Sequence, residues 1–336
     1  MRGDTARCVA TIVIPRVSVY VFLLRITEIM HADHAPSSSN YRCGYVALVG
    51  APNAGKSTLL NAILGTRLSI VTPKPQTTRR RLLGFHTTPT EQILFVDTPG
   101  LIKPRYVLQE AMVNAALTAI RDSDVTLLLV DAARALEKEQ SLPEGLAALF
   151  REARRPVIAV LNKVDLVSYK KALLPLMQQM YDAYPFATVI PVSALEHDGI
   201  DTIVRETAAL LPEGPAMYPD DQLSDQSERF FVSEIIREKI FLQFREEVPY
   251  ATEVYIVEFR EGDDKDFISA EIIVERESQR RILIGKGGQA IKAIGSEARI
   301  DVEDFLGRPV FLDLHVRIRE GWRDDRNWVR RMGYTD

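Results

Sequence analysis

The segment Gly50-Ala51-Pro52-Asn53-Ala54-Gly55-Lys56-Ser57 constrains this chain more than any other stretch of it. It follows the apolar run YVALVG (45–50) and precedes TLLNAIL (58–64), whose apolar residues recur at helical spacing. Strand, glycine-rich turn and helix start, in that order, place a phosphate-binding loop at the edge of an α/β sheet. Gly50 and Gly55 permit backbone angles closed to other residues. The loop N–H groups then point inward, and the helix N-terminus adds positive potential. Asn53, Ala54, Gly55 and Thr58 belong to the loop wall, Lys56 reaches the β- and γ-phosphates, and Ser57 binds Mg²⁺.

Three further segments turn a phosphate loop into a guanine-nucleotide site. Asp97 ends the apolar strand in QILFVDTPG (92–100), where it holds Mg²⁺ through water. Gly100 offers a backbone N–H to the γ-phosphate. Alone, Asp-x-Pro-Gly is equally a common turn, and the loop upstream gives it its weight. Asn162-Lys163-Val164-Asp165 follows PVIAVL (156–161). Guanine presents N1–H and N2–H₂ on one edge, and a carboxylate accepts both, so Asp165 is the specificity residue. The stem of Lys163 covers the base, and Asn162 ties its loop to the phosphate loop. Ser193-Ala194-Leu195 ends ATVIPVSAL (187–195), with the Ala194 N–H facing guanine O6. Between the first helix and Asp97, the stretch Pro73–Arg79 carries Thr77 and Thr78. One of the two closes on Mg²⁺ when GTP is bound, and Thr78 is preferred. Lys56, Thr78, Asp97 and Gly100 are thus the candidate catalytic residues, with GTP or GDP and Mg²⁺ as ligands.

Leu101 follows Asp97-Thr98-Pro99-Gly100, where small signalling GTPases carry a water-orienting glutamine. Leucine cannot hydrogen-bond water. Asn53 offers an amide oxygen near the phosphates, suited to a monovalent cation that does electrostatically what an arginine finger does. The plainer role for Asn53 is to shape the loop.

Downstream of Leu211, the proline- and acid-rich stretch 212–226 reads as a linker. FFVSEIIREKIFLQF (230–244) has helical spacing. ATEVYIVEFREG (251–262) and DFISAEIIVERE (266–277) alternate as a hairpin. RRILIGKGGQAIKAIG (280–295) places a GxxG turn between two helices, and PVFLDLHVRIRE (309–320) alternates again. The order α-β-β-α-α-β is that of a type II KH module, whose GxxG turn clamps single-stranded backbone. Gly285, Lys286, Gly287 and Gly288 form the turn. From Ser227 onward the chain is net acidic, yet the window from Arg280 to Lys292 holds Arg280, Arg281, Lys286 and Lys292 without an acid. A basic patch on a repelling background suits a narrow RNA groove.

With these residues in place, the chain resembles the Era family of KH-domain GTPases, within the TrmE-Era-EngA-like class. The resemblance covers roughly Tyr45 to Tyr334. It rests on GAPNAGKST, PKPQTTR, DTPGL, NKVD, ILIGKGGQAIKAIGSEAR and DFLGRPVFLDLHVRIREGWRDD. It implies a GTPase that binds the 3′ region of small-subunit (16S-type) ribosomal RNA and assists assembly of the small ribosomal subunit. It further implies a cytoplasmic monomer with peripheral association on the inner face of the membrane. Potassium (K⁺) at Asn53, and a class in which a hydrophobic residue stands at the Leu101 position, are also family-level expectations.

The expected fold is an α/β P-loop GTPase domain with a doubly wound, mostly parallel six-stranded sheet, followed by a smaller α+β KH type II domain. The boundaries are 1–44 for an N-terminal extension, 45–211 for the GTPase domain, 212–226 for the linker and 227–336 for the KH domain. The extension is apolar in part but broken by Arg16 and Arg25, too short to span a bilayer, and faintly like an organelle transit peptide. A start at Met30 is the preferred reading. A net charge of −4 argues against nonspecific polyanion binding, and two cysteines, Cys8 and Cys43, exclude a disulfide framework. The competing function is a nucleotide-gated protein-interaction or membrane-surface factor. An RNA-modification GTPase would carry a C-terminal cysteine motif that is absent here.

Overall fold

The runs YVALVG, ILFV and PVIAVL are apolar throughout rather than alternating, as strands covered on both faces must be. The computed structural model describes residues 40–138, 142 and 145–334. Most of the N-terminal extension, with Cys8 and Met30, lies outside the described residues. The first half contains β1 (Arg42–Gly50), α1 (Lys56–Leu64), β2 (Leu82–Thr87), β3 (Glu91–Asp97), α2 (Val107–Asp122) and β4 (Val125–Asp131). It continues with α3 (Ala132–Lys138), α4 (Leu146–Ala153), β5 (Val157–Asn162), α5 (Leu173–Ala183), β6 (Thr188–Pro191) and α6 (Ile200–Leu210). One six-stranded sheet runs β2-β3-β1-β4-β5-β6, parallel except for β2 against β3. One face buries Phe85, Leu94, Phe150 and Met180, and the other Leu59, Leu60, Phe95 and Leu129. The strand order reverses at β1, so the loop after β1 opens at the switch point where such sheets bind ligands.

Residues 212–226 are a strap and not a free tether. Gln92 on β3 is fully buried, so its amide needs partners. It accepts from the N–H groups of Met217 (2.7 Å) and Tyr218 (3.0 Å), and donates to Tyr218 O (2.9 Å). Tyr218 stacks on Phe85 at 4.2 Å, the Phe85 N–H donates to Leu223 O, and the Ser224 hydroxyl donates to Leu83 O. The strap therefore covers the β2/β3 edge. β1 also begins at Arg42, with an isolated bridge to Glu213, so the sheet starts before position 45.

The second half contains α7 (Glu228–Gln243), capped by Ser227, then β7 (Glu253–Arg260) and β8 (Asp266–Val274). It ends with α8 (Glu277–Ile284), α9 (Gln289–Leu306), β9 (Val310–Ile318) and α10 (Arg326–Arg331). Its sheet runs β7-β8-β9, antiparallel then parallel. The helices bury Val232, Ile236, Ile240, Ile294 and Ala298 against Val254, Ile268 and Ile272.

Buried contacts join the halves, one apolar and one ionic among them. Leu108, Ala111 and Met112 of α2 pack on Trp322, Trp328, Val329 and Met332. Trp322 is fully buried and donates its indole N–H to Ala251 O at 2.9 Å. Truncating a side chain of that size costs about 3–5 kcal/mol. The second contact is ionic. Glu253 lies between Arg79 (3.0 Å) and Arg80 (2.8 Å), and accepts from the Tyr334 hydroxyl at 2.7 Å. Burial pushes the Glu253 carboxyl up, but Arg80, Arg79 and Arg237 outweigh it and hold the carboxyl below its ordinary range.

Candidate nucleotide site and nucleic-acid interface

Every loop that the sequence marks for nucleotide chemistry emerges at the C-terminal edge of the six-stranded sheet, and Asn162 fastens them together. Its side-chain N–H₂ donates to Ala54 O (2.9 Å) in the phosphate loop, and its Oδ1 accepts from the Ala194 N–H (3.0 Å). Gly55 sits at φ 94°, and a Cβ there would lie 2.2 Å from Asn162 Nδ2. Only glycine permits this approach. The Ala194 N–H, expected to face guanine O6, is engaged with Asn162 instead. The cause is burial: Asn162 is 1% exposed, so its oxygen must find a donor inside the fold.

Lys56 is buried, and its ammonium donates to Gly50 O (3.2 Å) and Ala51 O (3.1 Å). Burial lowers its pKa to about 8, against the attraction of Asp97. Ser57 Oγ lies 2.7 Å from Asp97 Oδ2 and 2.8 Å from Thr78 Oγ1. Thr78 Oγ1 reaches the same carboxylate oxygen at 3.4 Å, and the Ser69 hydroxyl donates to it at 3.0 Å. Thr77 turns the other way, its hydroxyl meeting Thr72 Oγ1 and Lys74 O. The structure thus brings Thr78, and not Thr77, to Ser57 and Asp97. Ser69 joins them without any motif having marked it.

The donor set fits Mg²⁺. Asp97 is fully buried, and among the described residues its Oδ1 has no hydrogen-bond partner. Burial pushes its carboxyl above the ordinary range, despite the Ser57 hydrogen bond and the Lys56 charge. A hard cation supplies what that oxygen lacks. One carboxylate, two hydroxyls and substrate phosphates suit Mg²⁺ better than an all-protein cage. No cluster of three or more metal-ligating His, Cys, Asp or Glu side chains occurs among the described residues. Asn53, Gly55, Lys56, Ser57, Thr58 and Gly100 help to line one small cavity of about 60 Å³ here.

At the base end, Asp165 is exposed on the turn Val164–Leu166, and the Ser193 hydroxyl donates to its Oδ1 at 2.6 Å. The bond orients a carboxylate that can accept two parallel N–H donors. Lys163 takes a left-handed backbone angle (φ 63°), and its ammonium reaches Asp131 Oδ2 at 2.7 Å. The Leu195 side chain stands exposed beside this loop.

The segment around Thr78 leans on the second domain. Arg237 donates to Thr77 O at 2.6 Å. Arg79 donates to Thr252 O (2.6 Å), Pro249 O (2.9 Å) and Tyr250 O (3.1 Å), besides Glu253. The Val71 N–H donates to Glu238 at 3.1 Å, Arg67 pairs with Glu238, and Lys74 donates to Phe241 O and Phe244 O. Asn53 in the phosphate loop donates to Pro73 O at 3.0 Å. Gln109 of α2 donates to Gln76 Oε1 (3.1 Å) and accepts from the Arg105 N–H (2.9 Å), linking the loops on either side of the phosphate cavity. Sequence reasoning missed Arg237, Glu238 and Glu253, which lie within a helix and a strand and belong to no motif.

On the second domain, Gly285, Gly287 and Gly288 take positive φ angles of 74°, 60° and 78°, and Lys286 is exposed between them. A groove of about 590 Å³ opens between α9 and the edge strand β9. Lys265, Lys292, Ser296, Arg299, Phe311 and Leu314 are among its walls. Of the basic residues read from the sequence, Lys292 lines the groove. Arg280, Arg281 and Lys286 do not, and Arg280 pairs with Glu277 at 3.3 Å, so the window is not free of acids in space. Phe311, exposed and stacked on Phe267 at 5.8 Å, went unmarked. An aromatic on an edge strand next to basic residues was the signal available.

Residues 45–163 match the model of the 50S ribosome-binding GTPase family, and residues 247–323 match that of the KH domain. The chain is 46% identical over 302 residues to the GTPase Era of Geobacter metallireducens, covering 89% of this chain and 100% of that protein. It is 45% identical over 300 residues to the chloroplastic GTPase ERA-like protein of Oryza sativa subsp. japonica, covering 88% of this chain and 70% of that protein. It matches a crystal structure of Era in complex with MgGDPNP and nucleotides 1506–1542 of 16S ribosomal RNA. The TM-score is 0.84 at 41% identity, over 88% of this chain and 99% of that one. A tyrosine-to-alanine variant of Aquifex aeolicus Era bound to GDP and aluminium fluoride matches with a TM-score of 0.83 at 40% identity, over 88% and 99% of the two chains. Identity of this extent, on top of a phosphate loop, a guanine loop and a GxxG turn in their expected places, settles the assignment: the chain belongs to the Era family of GTPases.

Proposed function

We propose that this GTPase binds small-subunit ribosomal RNA through its KH groove and assists assembly of the small ribosomal subunit, with the bound nucleotide setting its affinity. The observation that carries the reading is the position of Thr78. It touches Ser57 and Asp97 on one side, while its neighbours Thr77 and Arg79 bond to Arg237 and Glu253 of the KH domain. The Era complex with 16S ribosomal RNA supports the RNA partner.

In this reading Asp165 reads the guanine edge, held by Ser193, while Asn162 fixes the loop from behind. Lys56 and the N–H groups of the phosphate loop hold the phosphates. Mg²⁺, held by Ser57, Thr78 and Asp97, supplies charge neutralisation at the β- and γ-phosphates. Leu101 gives no hydrogen bond to water, so a potassium ion beside Asn53 is the proposed source of the missing positive charge. Among the described residues no helix is long and apolar enough to cross a membrane. A cytoplasmic monomer with peripheral contact to the inner membrane face completes the reading.

Asp165→Asn removes the acceptor pair for N1–H and N2–H₂. GTP affinity should fall by about tenfold or more and xanthosine triphosphate affinity should rise, since the amide suits the altered edge. Competition titration against fluorescent GDP reads both, and an unchanged preference would refute the role of Asp165.

Single-turnover hydrolysis should run faster in potassium than in sodium at equal ionic strength, and Asn53→Ala should erase the difference. Equal rates in the two salts for the native protein remove the cation and leave the GTPase intact.

Lys286→Asp with Gly287→Asp puts two carboxylates where RNA phosphates must approach backbone. None of the partners of the Thr78 segment lies in the turn 285–288, so nucleotide binding should survive while RNA retention is lost. RNA retention and fluorescent-GDP titration on one preparation, with circular dichroism, decide. Unimpaired RNA retention by the folded double variant would move the assignment to a protein-interaction or membrane-surface factor.

A further inference from the structure

A second cavity lies between the two domains and shares no lining residue with the nucleotide cavity. It measures about 270 Å³, and its walls include Arg79, Arg80, Arg81, Gln226, Phe230 and Tyr334. The charges around it do not balance. Glu253 is the one carboxylate bonded to Arg79 and Arg80, among the described residues, and it serves both guanidinium groups. The charge of Arg237 is matched by Glu234 at 2.5 Å. One positive charge is left over inside, and Arg81, exposed and bonded to no acid among the described residues, adds a second at the wall.

The hydrogen bonds do not balance either. Arg79 gives its donors to three carbonyl oxygens and Glu253. The Arg80 guanidinium is held between the rings of Tyr334 (4.8 Å) and Phe230 (5.9 Å) and gives one bond to Glu253. Its Nε–H is buried and has no acceptor among the described residues. A buried donor in that condition is costly unless something supplies an oxygen. The unmatched positive charge at these walls calls for an anion with several acceptor oxygens, small enough to enter the cavity. Arginine forks match tetrahedral phosphate oxygens better than a halide or a lone carboxylate.

We propose that this cavity is a phosphate-binding site, separate from the nucleotide site, in which Arg80 and Arg81 hold a tetrahedral phosphate group. Arg79–Arg81 and Ala111 come from the GTPase domain, and Phe230 and Tyr334 from the KH domain, so the bound anion ties the two together. The group is either a free phosphate or phosphomonoester, or a backbone phosphate of bound RNA.

The test uses the full chain saturated with GDPNP and Mg²⁺, so that the phosphate loop is already filled. Inorganic phosphate is titrated at constant ionic strength against chloride, and the thermal midpoint is followed. The native protein should gain a saturable rise. Arg81→Gln and Arg80→Lys should each weaken the apparent phosphate affinity by about tenfold. Arg155→Gln, an exposed arginine outside the cavity, should change nothing. In the RNA arm, a single-stranded RNA replaces phosphate. Should the anion be a backbone phosphate, Arg81→Gln lowers RNA affinity by about tenfold where Arg155→Gln does not, and free phosphate adds nothing. The site is refuted if neither phosphate nor RNA distinguishes Arg81→Gln from Arg155→Gln. It is equally refuted if the native phosphate response persists in both cavity variants. Neither result bears on GTP hydrolysis.

Discussion

A single carboxylate, Glu253, holds the two arginines that follow Thr78. Such a pair is expensive to bury, and removing one partner from it costs about 3–5 kcal/mol because the other charge stays unsolvated. The contact therefore fixes a geometry more than it adds stability. It sets the backbone of residues 77–80 against α7 and the start of β7, and Arg237 does the same through Thr77 O. Whatever moves Thr78 toward or away from Ser57 and Asp97 must move this contact or strain it. The Thr78 segment thus touches the Ser57–Asp97 pair on one side and the KH domain on the other.

Asn162 plays the corresponding part at the base end. One amide, buried and bonded through both its nitrogen and its oxygen, ties the phosphate loop to β5 and to the Ser193 loop. Asp165 can then stay exposed and still be placed, since Ser193 orients it from a loop that is itself anchored. The arrangement spends buried hydrogen bonds on position and leaves the groups that meet the ligand open.

What the sequence made legible was whatever is local. A strand that ends in a glycine-rich turn before a helix can go in one place in a doubly wound sheet, and the order of the four nucleotide segments follows the chain. The KH module was equally plain, because alternation and helical spacing change over at its turns. Contacts between distant residues were not legible. Arg79 and Glu253 are 174 positions apart, and nothing in either local pattern separates a buried pair from two solvated charges. The stretch 212–226 has the composition of a tether, and becomes a strap because Gln92, buried on β3, needs its backbone. Thr77 and Thr78 are adjacent and chemically alike, so only the direction of each side chain distinguishes them. The bond from the Ala194 N–H to Asn162 was hidden for a similar reason, since the two residues lie 32 positions apart.

In the reading proposed above, the Glu253 contact transmits nucleotide state to RNA affinity. The direct measurement is the ratio of RNA affinities in the GDPNP and GDP forms, for the native protein and for Glu253→Gln, with circular dichroism on both. Linkage requires a ratio different from one in the native protein, and about fivefold or more is a typical coupling. Glu253→Gln should bring the ratio toward one while the GDP form keeps its RNA affinity. A folded Glu253→Gln protein that retains the native ratio would contradict that reading.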